Sequence, residues 1–157
     1  MKEIPLMNGI PCVIEGIAYY PCITIPNEKF VPAFYEVNLA VSDEVFDMFK
    51  SRGYMSCFPA GDRKYTLDPV IAFKKFAYHK DGSPNSAPTL VDSEGKEIDI
   101  NIGNGSKIKV QWKHIEYKGK GPDKVKRAEL VAAQIIEIVE WDGDKPATRN
   151  EEPSLEF

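Results

Sequence analysis

One stretch of this chain, SDEVFDMFKSRG (42–53), repeats its apolar residues with the period of a helix. The other apolar runs are short, rich in β-branched and aromatic residues, and separated by Pro, Gly and Asn. A single short helix cannot bury itself, so strands must supply most of the core. Within 42–53, Ser42 is placed to cap, Asp43 and Glu44 suit the positive N-terminal end, Lys50 and Arg52 suit the other end, and Gly53 suits the exit. Val45, Met48 and Phe49 form the stripe that faces the core, and Val41 with Phe46 can staple the entry.

The strands are read from alternation and punctuation. Residues 12–25 form a bent strand or two strands meeting, because Pro21 interrupts them, and 25–33 turn. In 34–41, Tyr35, Val37, Leu39 and Val41 share one face and Glu36 and Asn38 the other. A short strand at 54–58 leads into a loop, 59–68, that carries Arg63, Lys64 and Tyr65. The strand at 70–80 sets Lys74, Phe76 and Tyr78 on one face, opposite Ile71, Phe73, Lys75, Ala77 and His79. A polar loop (80–88), a hairpin turning at DSEG (89–98) and a Gly/Asn turn (100–107) precede a strand from Lys107 to Tyr117. Residues 119–127 read as a flexible basic loop. Residues 128–141 read as a strand, although their Ala and Glu would also suit a helix. The fold expected is mainly β: an OB-type five-stranded antiparallel barrel with one short helix over 1–141, followed by a flexible, disordered acidic tail over 142–157. A small β-sandwich is the second choice.

Charge sharpens the functional question. Residues 1–62 carry a net −4, residues 63–127 a net +6 and residues 128–157 a net −6. A basic middle between acidic flanks suits contact with a polyanion. No run of about 20 apolar residues suggests a membrane span, no leader segment is evident at the N-terminus, and Cys12, Cys22 and Cys57 form no CxxC pair. A cytoplasmic protein with reduced thiols is expected.

Catalytic signatures are missing from the sequence. His79 and His114 lie in separate strands, no HExxH, CxxC, GxSxG or GxGxxG occurs, and GNGSK (103–107) precedes a strand where a phosphate loop would precede a helix. Asp62, Asp68, Asp92 and Asp99 are ungrouped along the chain. The expectation is a protein that is not an enzyme, with no cofactor and no metal.

Binding chemistry, in contrast, is concentrated. Lys107, Lys109, Gln111 and Lys113 project to one face of their strand, followed by Tyr117. Trp112 projects to the other with Ile108 and Val110, where both a core and a stacking role are open. Lys74, Phe76 and Tyr78 form a second set, Lys64 with Tyr65 a third, and Lys120 with Lys124 add a basic flap. Flat rings beside cations are what a sheet needs to hold unstacked bases and their phosphates.

APTLVDSEGKEI (87–98), IGNGSKIKV (102–110), Tyr117-Lys118-Gly119, ELVAAQIIEIVE (129–140) and the terminal EEPSLEF together resemble the phage single-stranded DNA-binding proteins that join an OB-fold core to an acidic tail ending in Phe. The resemblance implies sequence-tolerant binding of single strands in phage DNA replication, recombination or repair. It also implies a tail, here Glu151, Glu152, Glu156 and Phe157, that meets replication or recombination proteins. A homodimer is left open. The usual OB order puts a helix after the third strand, so 12–25 must either divide in two or mark a variant. The competing expectation is a structural or adaptor β-barrel of a phage particle without a nucleic-acid role.

Overall fold

A computed structural model describes residues 5–29, 32–118, 121 and 124–140. Its strands are β1 (Leu6–Met7), β2 (Ile10–Pro11), β3 (Val13–Asn27), β4 (Phe34–Ala40), β5 (Cys57–Phe58), β6 (Val70–Phe76), β7 (Thr89–Val91), β8 (Lys107–Lys118) and β9 (Lys124–Glu137). The helix α1 spans Asp43–Ser51.

Five of the strands close into a barrel in the order β6-β4-β3-β8-β9. The closure is a parallel pairing of Lys74 on β6 with Glu129 on β9. The expected OB-type barrel is therefore present. β5 extends the sheet from β6, and β7 pairs in parallel with β9. The remaining two strands, β1 and β2, form a separate hairpin near the N-terminus that the sequence reading did not anticipate.

β3 explains how so few strands close. It is one strand of 15 residues, not two. Its first part, Val13 to Ile17, pairs with β8, and from Ile17 onward it pairs with β4. At the crossover sits Gly16, where a Cβ would lie 2.3 Å from the Ala40 carbonyl oxygen and 2.7 Å from the Leu39 side chain. Any other residue would push β3 off β4. Farther along, the register slips between Tyr19 and Cys22, and Tyr20 takes a φ of +50°. That left-handed conformation costs a bulky residue about 1–3 kcal/mol. It marks a bulge beside Pro21 and supplies the bend.

Because β3 does not divide, α1 falls between the second and third barrel strands, and the chain is the variant of the usual order. Ser42 accepts a hydrogen bond from the Val45 amide at 3.2 Å, with Asp43 and Glu44 in the first turn and Lys50 in the last. Phe49 is fully buried, and its ring lies 4.9 Å from Trp112, 5.4 Å from Tyr54 and 5.8 Å from Phe73. Val45, Phe46 and Met48 pack around it against the core.

The barrel interior is filled by alternate residues, as period-two strands require: Val37 and Leu39, Ile71 and Phe73, and Ile108, Val110 and Trp112; Leu130 and Ala133, three apart, both join them because the β8–β9 register shifts between them. Trp112 is 1% exposed, and its indole N–H donates to the Pro11 carbonyl at 2.8 Å. Trp112 is thus core, and the stacking role left open for it is withdrawn. The expected loop 119–127 is also corrected, since β9 begins at Lys124. Lys124 through Ala128 pair with Lys118 back to His114. That hairpin reads as loop in sequence because its residues are basic, while pairing to β8 is what orders it. No helix among the described residues is long and apolar enough to cross a membrane.

Candidate nucleic-acid interface

The outer face of β4 and β6, with the flanking loops, is where this barrel type presents ligand-binding side chains. With Tyr35, Val37 and Leu39 turned inward, Phe34, Glu36 and Asn38 turn outward. Opposite them on β6 stand Phe76, Lys74 and Ala72.

Two aromatic clusters occupy this face. In the first, the Phe34 and Phe76 rings lie 4.9 Å apart, and Tyr117 meets Phe76 edge-on at 6.2 Å. The ammonium of Lys74 lies 5.1 Å from the Phe34 ring, and the Arg127 guanidinium lies 5.9 Å from that of Tyr117. Arg127 is held by donating from Nε to the Tyr117 hydroxyl and from Nη1 to Ser56 Oγ at 3.1 Å. A cleft of about 690 Å³ opens beside this cluster, lined by Phe76, Tyr78, Asn85, Ile115, Tyr117 and Lys118 among others. In the second cluster, Tyr65 from the 59–69 connection packs against Tyr19 at 4.7 Å and meets Tyr20 edge-on at 5.5 Å. Arg63 lies 3.8 Å above the Phe58 ring nearby.

Four residue steps along β4, from Phe34 to Asn38, separate the clusters, a span of about 13 Å at strand rise. Between them lies Glu36, 8% exposed, which accepts from Asn27 Nδ2 at 2.9 Å. Burial lowers the pKa of Lys74, Glu36 opposes that shift and Arg127 adds to it. Burial pushes the Tyr65 hydroxyl up to about 12 and raises that of Tyr19. Both hydroxyls, neutral at ordinary pH without any shift, are moved further from ionisation by burial.

Of the expected site residues, Lys74, Phe76 and Tyr117 meet in the first cluster and Tyr65 stands in the second. Lys64 is exposed on the same connection as Tyr65. Tyr78 lies beyond the end of β6; its ring is exposed and its hydroxyl donates to Glu28 at 2.9 Å. Lys124 opens β9, paired with Lys118. The basic row on β8 runs back from Tyr117, which itself joins the first cluster: Lys113 lies four residues from it, Lys109 eight and Lys107 ten. Lys107 pairs with Glu15 at 3.4 Å and Lys113 with Glu129 at 3.2 Å, while Lys109 is exposed on the same outer side. Lys120 and the tail residues Glu151, Glu152, Glu156 and Phe157 lie outside the described residues.

Tyr19, Tyr20, Phe34 and Arg127 were not among the expected site residues. Phe34 had a readable signal: it is a ring in phase with Glu36 and Asn38 on the polar face of its strand. Tyr19 and Tyr20 had none, because the bulge breaks the alternation there. Among the described residues no three His, Cys, Asp or Glu side chains gather to hold a metal ion. Asp62, Asp68, Asp92 and Asp99 therefore form no such group.

No protein-family model matches this chain, and no curated protein matches it. Solved structures do. The gp2.5 single-stranded DNA-binding protein encoded by bacteriophage T7 matches with a TM-score of 0.58 at 20% identity, over 85% of this chain and 90% of that one. The single-stranded DNA-binding protein from bacteriophage Enc34 matches with a TM-score of 0.53 at 11% identity, over 83% and 82% of the two chains. The Enc34 protein in complex with single-stranded DNA matches at 0.51 and 13% identity, over 83% and 87%. This chain thus shares its fold with these phage single-stranded DNA-binding proteins.

Proposed function

We propose that this protein is a sequence-tolerant single-stranded DNA-binding protein that coats and protects single strands during phage DNA replication, recombination or repair, without catalysing a reaction. The observation that carries the proposal is the outer face of β4 and β6. There Phe34, Phe76 and Tyr117 at one end and Tyr19, Tyr20 and Tyr65 at the other are interleaved with Lys74, Arg127 and Arg63. Every base has a flat face, so rings offer stacking without reading sequence, and the cations draw in the backbone. The shared fold adds support, since the structures it matches are named for this ligand. Such a protein works where DNA is, in the cytoplasm of the host cell. The terminal Glu151, Glu152, Glu156 and Phe157 are the proposed contact for replication or recombination proteins.

Fluorescence anisotropy with labelled oligo-dT at two salt concentrations, competed with duplex, tests the proposal. Single strands should win clearly. If Lys64, Lys74, Arg63 and Arg127 neutralise about four phosphates, the log–log salt slope is about −3, from roughly −0.7 per phosphate. Equal competition by duplex would overturn the proposal. No measurable oligo-dT binding would favour the structural or adaptor barrel.

A further inference from the structure

Tyr20 is bulky, stands mid-strand and has a positive φ, so something must hold it there. Pairing with β8 ended three residues earlier, at Ile17, and the β4 register is broken between Tyr19 and Cys22. The Tyr20 amide donates to the side-chain Oδ1 of Asn104, 84 residues away in the turn before β8.

That turn is built to be rigid. Gly103 donates to the Val139 carbonyl at 2.7 Å, Gly105 donates to the Ala18 carbonyl at 2.8 Å, and Ala18 donates to Ser106 at 2.8 Å. The Ser106 hydroxyl, in a fully buried residue, donates to the Gly103 carbonyl at 2.9 Å and accepts from the Val139 amide at 2.8 Å. A Cβ at Gly103 would lie 2.4 Å from the Glu140 carbonyl oxygen, so the turn is pressed against the chain after β9. It is thus fastened to β3 on one side and to residues 139–140 on the other, with the Asn104 side chain aimed at the bulge.

We infer that Asn104 is a positioning residue for the Tyr19–Tyr20–Tyr65 cluster. By accepting from the Tyr20 amide it fixes the left-handed bulge, and the bulge aims the Tyr20 ring at Tyr65 and at a base stacked beside them. The inference rests on the proposed binding of single-stranded DNA and adds a residue that itself touches no DNA. Without the acceptor, Tyr20 returns to an extended conformation, its ring swings away from Tyr65, and one stacking surface is lost.

Three measurements on the full chain decide it. In the free protein, hydrogen exchange of the Tyr20 amide should be slow in the wild type and fast in Asn104→Ala. Asn104→Ala should weaken oligo-dT binding about fivefold or more, the lower end of what one stacked base contributes. The salt slope should stay unchanged, because no phosphate contact is removed. Tyr20→Ala should weaken binding similarly, and the double variant should be no weaker than Tyr20→Ala alone. Asn104→Ser, too short to reach the amide, answers the same question should Asn104→Ala not fold. Unchanged exchange at Tyr20, or losses that multiply in the double variant, would overturn the inference. If the wild type binds oligo-dT and Asn104→Ala binds it equally well, this inference alone fails. If the wild type does not bind oligo-dT, the functional reading fails and this inference with it.

Discussion

Trp112→Ala is expected to cost about 3–5 kcal/mol of folding stability, the range for removing a large aromatic from a packed core. Trp112 is 1% exposed and meets Phe49 at 4.9 Å and Tyr54 at 5.3 Å, so its loss opens a cavity where helix, barrel and the chain before β5 converge. It also strips the Pro11 carbonyl of its donor. Against a total stability of about 5–15 kcal/mol, such a loss leaves the domain marginal or unfolded. Urea titration followed by far-ultraviolet circular dichroism measures it. Trp112→Phe keeps most of the volume and should lose less. A Trp112→Ala protein that melts like the wild type but no longer binds oligo-dT would return Trp112 to the DNA face.

The second large effect concerns that face itself. Phe76→Ala combined with Tyr117→Ala is expected to weaken oligo-dT binding by about 100-fold, from roughly 1–3 kcal/mol per stacked base. The two effects should not simply add, because the rings touch and Tyr117 also holds Arg127. The half-buried Phe76 carries some stability too, so a melting curve must accompany the titration. By contrast, Lys109→Glu should weaken binding less than about 10-fold at 0.15 M salt. Lys109 lies eight residues along β8 from Tyr117, about 26 Å at strand rise, and charges beyond about 8 Å are largely screened at that salt. If Lys109→Glu proves the more damaging change, the strand runs along β8 and the site is misplaced.

What could be read from the sequence was whatever is encoded locally. The alternation of 34–41 correctly buries Tyr35, Val37 and Leu39, and Ser42 caps the helix it was expected to cap. Trp112 shares the phase of Ile108 and Val110, and that phase already pointed inward. Long-range pairing was the part that sequence could not supply. Whether the lysines of β8 and the rings of β6 share a face depends on which strands meet, and the closing contact joins Lys74 to Glu129. Period two tells which side of a strand a residue takes, but not which side of the barrel that strand occupies. Tyr20 was hidden for a different reason: one left-handed residue resets the phase, and nothing in the Tyr-Tyr-Pro run announces it.

The Lys74–Glu129 closure has a further meaning. These strands are the two ends of the five-stranded ribbon, and among the described residues the strand pairing that joins them is this one. The seam emerges on the aromatic face, with Lys74 on one lip and Arg127, two residues before Glu129, on the other. Under the proposed function, a polyanion lying across both cations would act as a clasp on this seam. Affinity for DNA and closure of the barrel would then be a single linked equilibrium, in which bound DNA adds to stability according to its concentration relative to Kd.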